Sequence, residues 1–274
     1  MAAHLPRASW PLPRFIAALA ALLALAGCAG GPPKLDIDTS VQAASQSSRV
    51  RFLVLHYTGA NTAQSLKVLS SGPVSSHYLI TDEARPHVYQ LVDENRSAWH
   101  AGESQWHGRT WINASSIGIE IVNAGWTTGS DGKPVWQPYP EAQIETLIQL
   151  MHDIVQRHGI DPRDIVAHSD IAPRRKWDPG PLFPWKRLAE EGLGRWYDEA
   201  QAARLQRSYE QQGVPPVQWF QTRLRRAGYS PPEHGYADEE TLKALVAFQL
   251  HYRPSDHSGV FDAETAAILE ALPQ

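Results

Sequence analysis

The apolar positions of the chain change period several times before residue 190, and each change predicts an element. Residues 50–56 read VRFLVLH, an apolar run of the kind a strand buried on both faces requires. It stops at His56, and YTGAN follows as a turn. Residues 74–80 (VSSHYLI) and 87–92 (HVYQLV) are two further β-rich runs separated by a proline-containing turn. In SIGIEIVN the period is two: Ile117, Ile119 and Ile121 share one face, and Gly118, Glu120 and Val122 the other. A strand that buries its isoleucines therefore aims Glu120 at the opposite face. Over Glu141–His158 the period lengthens to that of a helix, with Ile144, Leu147, Ile148, Met151, Ile154 and Val155 on one stripe. Pro140 precedes this helix and Gly159 closes it. Residues 164–170 (DIVAHSD) predict a short strand ending near His168. His56 and His168 thus both fall at strand ends, where side chains can converge on one edge of a sheet.

A second pattern begins after a charged, helical connector (191–212) and the turn GVPP. Three helices are expected, over Val217–Ala227, 238–251 and 263–272, with Asp262 as N-cap of the last. Phe220, Leu224, Leu242, Leu245, Val246, Phe248, Ile268 and Leu269 would form their core, which carries no catalytic cluster. The fold class predicted is α/β: a central mixed β-sheet flanked by helices over 49–190, followed by a small C-terminal three-helix domain over 213–274.

Composition adds location and excludes one class. With 42% hydrophobic and 20% charged residues among 274, the chain has globular composition, and a formal net charge of −4 leaves no electrostatic footprint for nucleic acid. Ten tryptophans are many for this length. Exposed tryptophan can line a carbohydrate or peptide groove, although core packing is the commoner use. The single cysteine, Cys28, cannot form an internal disulfide. Arg7 and Arg14 precede a short apolar run, FIAALAALLALA (15–26), which ends in LAGC. That ending resembles the lipobox of bacterial lipoproteins, in which cleavage leaves a lipidated cysteine at the new N-terminus. Residues 1–27 are then a signal peptide and 28–48 a tether. Ala29, where inner-membrane lipoproteins typically carry Asp, implies an outer-membrane anchor facing the periplasm.

The candidate chemistry lies in AHSDIAPRRKWDPGP. His168 and Asp178 end one proline-containing loop with Lys176 between them, an arrangement that can offer two ligands and a cation to a zinc hydrolase. His56 is a candidate third ligand and Glu120 a candidate carboxylate for water. Taken singly, His56 also fits a satisfied strand-end histidine and Lys176 a solvated surface lysine.

The motifs VLHYTGA, VSSHYLI, AWHAGES, SIGIEIVN and AHSDIAPRRKWDPGP, in that order, resemble those of the zinc N-acetylmuramoyl-L-alanine amidases, which share a fold with the peptidoglycan recognition proteins. The segment LVAFQLHYRPSDHSGVFDAETAAILEAL resembles the peptidoglycan-binding helical domain found in outer-membrane lipoprotein amidases of Gram-negative bacteria. The resemblance implies Zn²⁺ as cofactor, held by His56, His168 and Asp178. It implies Glu120 as the base and Lys176 as the group that stabilises the oxyanion. It places His77, Trp99, His100 and Asn123 along the substrate groove or in support of the ligands. Peptidoglycan and muropeptides are the implied partners, with the membrane reached through Cys28. Some phage relatives carry a catalytic tyrosine before the motif histidine. That position is Ser76 here, so the base role falls to Glu120. Others have cysteine as third ligand, where this chain has Asp178. Competing expectations are a non-catalytic wall-binding lipoprotein and a zinc peptidase cutting within the stem peptide.

Overall fold

The computed structural model describes Met1 and residues 35–273, so the leader, Cys28 and the first part of the tether lie outside the described residues. The chain divides into two units. In the first, residues 35–46 form no helix or strand, and Asp38 accepts the Ser40 amide at 2.8 Å. The second unit, 47–274, holds every element below. No described helix is long and apolar enough to cross a membrane.

The elements follow in chain order. β1 (Phe52–Tyr57) leads into α1 (Thr62–Ser71), then β2 (Tyr78–Ile80) and β3 (Val88–Gln90). The small hairpin β4 (Gln105–Trp106) and β5 (Arg109–Thr110) precedes β6 (Ser116–Ile121), and a second hairpin, β7 (Trp126–Thr128) and β8 (Pro134–Trp136), precedes α2 (Glu141–His158). β9 (Ile165–Ala167) runs into the single-turn α3 (His168–Ile171). The helices α4 (Trp185–Glu190), α5 (Glu199–Gln212), α6 (Val217–Ala227), α7 (Glu239–Tyr252) and α8 (Ala263–Ala271) complete the unit.

Five strands form a mixed sheet in the order β3-β2-β6-β1-β9. β2, β6, β1 and β9 are parallel and β3 is the antiparallel edge. β1 is flanked by β6 and β9 and is apolar on both faces, as its run required. Leu53 and Leu55, with the three isoleucines of β6, pack against Ile144, Leu147, Met151 and Ile154 of α2. Phe52 and Val54 on the other face share a core with Phe220, Leu224, Phe248 and Ile268 from the C-terminal helices. Each such side chain taken fully from water stabilises by about 1.5–3 kcal/mol.

Three expectations change. The C-terminal helices do not form a core of their own: they cover the second face of the sheet. The connector is not a linker, because α5 lays Ala202, Leu205 and Tyr209 on that same core and becomes a fourth helix of the group. The expected strand over 164–170 ends at Ala167, because Asp170 folds its carboxylate back to accept the Ala167 amide at 2.8 Å and starts a helical turn at His168.

Candidate active site

Register brings the site together. β1 and β6 pair His56 with Glu120, and β1 and β9 pair Leu55 with Ala167, so His168 follows beside His56. The three side chains emerge at the carboxyl ends of neighbouring parallel strands, where α/β sheets hold their ligands. The loop after α3 turns back through Ala172, whose carbonyl accepts the amides of Arg175 and Lys176. The Ser169 amide then donates to the Asp178 carbonyl at 3.0 Å, which returns Asp178 to His168.

His56 Nδ1, His168 Nδ1 and Asp178 Oδ2 form a triangle with sides of 2.9, 3.1 and 3.0 Å, and all three residues are buried. Among the described residues this is the one cluster of metal-capable side chains. The hydrogen bonds behind the triangle fix its protons. His168 Nε2 faces the Ala101 carbonyl at 3.3 Å, which only accepts, so Nε2 carries the proton. The Ser116 hydroxyl donates to the Ile112 carbonyl at 2.8 Å and so accepts from His100 Nε2 at 3.0 Å. His100 Nδ1 is then left to accept from His56 Nε2, also at 3.0 Å. Burial and the neighbouring His168 push the His56 pKa down to about 4, so the ring is neutral at pH 7. Burial works against the charge on Asp178, but His168 and His56 hold its carboxyl far below the usual range. With both rings in the neutral form that ligation requires, two imidazole lone pairs and a carboxylate face one another. Leaving buried acceptors unpaired is costly, and a cation at their centre removes the cost. The triangle also has the right size, since a tetrahedral zinc site with ligand bonds of about 2.0–2.1 Å has edges of about 3.3 Å.

One short segment supports both histidines. His100 holds His56 through its side chain, and Ala101 holds His168 through its carbonyl, which also accepts from Arg175 at 3.0 Å. Asn113 Oδ1 in turn accepts the amides of His100 and Ala101 at 3.1 and 2.7 Å. Gly118 makes room for this arrangement, since a Cβ there would lie 2.5 Å from the His100 ring. Sequence reasoning missed Asn113, Ser116 and Arg175. Ala101 acts through its backbone and leaves no side-chain signal.

A cavity of about 540 Å³ opens over the triangle, lined among others by Gln64, Val68, Trp99, Glu120, Lys176 and Trp177. Glu120 Oε2 is sealed from solvent without a hydrogen-bond partner. Burial, with the charge of Asp178 beside it, raises the Glu120 pKa well above the usual carboxylate range, and Lys176 opposes that shift. Trp99 stands 65% exposed at the cavity wall. His100 reaches the same cavity from the support side.

His77 and Asn123, expected along the groove or in support of the ligands, are not among the residues that line this cavity, and the His77 ring packs edge-on against His100 at 5.8 Å. His77 accepts the Gly118 amide at 3.0 Å and faces the Arg96 carbonyl at 3.1 Å, so both its nitrogens are occupied within the fold. Asn123 donates to the carbonyls of Gln137 and Pro138 and accepts the Gly125 amide, closing a loop.

Residues 46–181 match the family model for N-acetylmuramoyl-L-alanine amidase, and residues 214–269 match the model described as "Putative peptidoglycan binding domain". The chain is 42% identical to the N-acetylmuramoyl-L-alanine amidase AmiD of Escherichia coli, across 94% of this chain and 97% of AmiD. The structure of E. coli AmiD with anhydro-N-acetylmuramic acid-L-Ala-D-gamma-Glu-L-Lys superposes with a TM-score of 0.77 at 40% identity, covering 88% of this chain and 95% of that one. AmpDh3 from Pseudomonas aeruginosa, in complex with anhydromuramic pentapeptide, gives 0.79 at 41% identity, covering 88% and 98%. Fold and site together define an amide hydrolase built on the carboxyl edge of a mixed sheet. The chain belongs to the N-acetylmuramoyl-L-alanine amidase family.

Proposed function

We propose that this enzyme hydrolyses the amide between N-acetylmuramic acid and L-alanine in peptidoglycan or its fragments, with Zn²⁺ held by His56, His168 and Asp178. The observation that carries the metal reading is the buried triangle of two Nδ1 atoms and one Oδ2, each within 3.1 Å of the others. When bound, Zn²⁺ supplies Lewis acidity to the scissile carbonyl and lowers the pKa of water. Glu120, across the ladder from His56, accepts the proton of the attacking water and later gives it to the leaving amine of L-alanine. Its unpartnered Oε2 supports this role. Lys176, in the cavity wall, stabilises charge on the carbonyl oxygen as the tetrahedral centre forms. His100 and the Ala101 carbonyl keep both ligand histidines in the tautomer that leaves Nδ1 free.

The bound muropeptides of the two related structures support the substrate class. In this reading residues 49–190 form the catalytic unit and 213–274 a wall-binding unit, with 28–48 as tether. Cys28, lipidated after removal of 1–27, anchors the chain in the outer membrane facing the periplasm. A non-catalytic wall-binding protein would have no use for a carboxylate oxygen sealed without a partner, as Glu120 Oε2 is. The test is metal removal. Dialysis against a chelator should abolish hydrolysis, and one equivalent of Zn²⁺ should restore it. Full activity in metal-free protein would contradict the assignment.

A further inference from the structure

We propose that the C-terminal domain is part of the metal site's support: Tyr229 and His251 position the ligand His168 through Asp170. The proposal rests on the metal-site reading above. Asp170 is 1% exposed and lies in the single turn that His168 opens. Its Oδ2 accepts the Ala167 amide at 2.8 Å, fixing the corner from which the His168 side chain leaves. The rest of the carboxylate is held from the other domain. Tyr229, after α6, donates to Oδ1 at 2.5 Å, and His251, near the end of α7, contacts Oδ2 through Nδ1 at 2.7 Å.

The pose of His251 argues against a packing role. Its ring is stacked between Trp185 at 3.8 Å and Tyr252 at 4.1 Å, and its Nε2 is sealed without a partner. A phenyl ring would keep both stacks and avoid desolvating a nitrogen. The one polar contact the imidazole makes is with Asp170, so that contact accounts for its presence. Removing either donor leaves a buried carboxylate under-satisfied two residues from His168, and the corner must move to find another partner.

The experiment uses the full chain with Tyr229→Phe and His251→Phe, which keep the rings. Zn²⁺ affinity is measured on metal-free protein by competition with a chromophoric chelator, together with the visible spectrum of the Co²⁺-loaded form and the melting temperature of the metal-free form. Arg174→Ala, which breaks the exposed ion pair to Glu240 between the same two domains, is the control. Both ring variants should lose about tenfold or more in Zn²⁺ affinity and shift the Co²⁺ bands, while the control keeps wild-type values. Variants that melt earlier yet bind Zn²⁺ like wild type, with unchanged Co²⁺ bands, would reduce Tyr229 and His251 to packing and overturn the proposal. So would a control that weakens binding equally. Tyr229→Phe, which removes one atom, decides the matter if His251→Phe does not fold. A wild-type chain that takes up no ion overturns the metal-site reading and this proposal with it.

Discussion

Glu120 faces the cavity because β6 alternates: the three isoleucines go to the α2 side, and the remaining face meets His56. Replacing Glu120 with Gln keeps the shape and removes the carboxylate proposed as base. Zn²⁺ content should match wild type, while turnover falls by about 10²–10⁴-fold. Parallel metal analysis and rate measurement check this, and an unimpaired rate excludes Glu120 as the base. Lys176→Met should lower kcat by about 10²-fold with little change in KM, since the charge it answers exists only in the transition state. His100→Phe acts differently, releasing the His56 tautomer and weakening Zn²⁺ binding by about 10–100-fold in a chelator competition. At this scale the sequence is informative where a side chain itself enters the triangle. His56 and His168 ended apolar runs, and Asp178 closed a loop. Their support was hidden. Ala101 works through a carbonyl, and nothing local distinguishes His100, on the ligands, from His77, whose nitrogens are spent on backbone groups.

Elements were legible wherever one period governed enough residues. α2 and α6 begin and end where their apolar stripes do, and Asp262 caps α8 by accepting the Thr265 amide at 2.8 Å. α5 reads as a connector because its buried positions are few among charged neighbours, and its partner helices in the fold give them a core. Two elements are tied by a carboxylate that sets an acid limit. Glu94 accepts from Tyr78 of β2 at 2.6 Å, and from Arg157 and His158 of α2. Burial raises its pKa, but these three donors outweigh it and bring the value down to about 2. A folded-state pKa below the unfolded value means that the charged form stabilises the fold. That contribution is complete above about pH 4.5 and is lost as pH falls toward 2. Glu94→Gln should thus melt below wild type at pH 7, and the difference should shrink through pH 4.5 to 2. A gap that stays constant would contradict this account.

The whole molecule joins two sequence patterns through one core. The even face of β1 begins under the C-terminal helices at Phe52 and Val54 and ends at His56, so those helices and the site share a strand. Motif order separates the two sequence patterns. It does not announce that the second covers the sheet, because an apolar helix face looks the same whether it meets its neighbours or another layer. The account's central claim is the bond broken. The chain from Ala29 onward, loaded with Zn²⁺, is incubated with purified sacculi and with anhydromuramyl peptides, and the products are identified by mass spectrometry. Stem peptides with a free L-alanine amine, and glycan or sugar freed of peptide, are the predicted products. Peptides still joined to muramic acid, or cleaved within the stem, would contradict it.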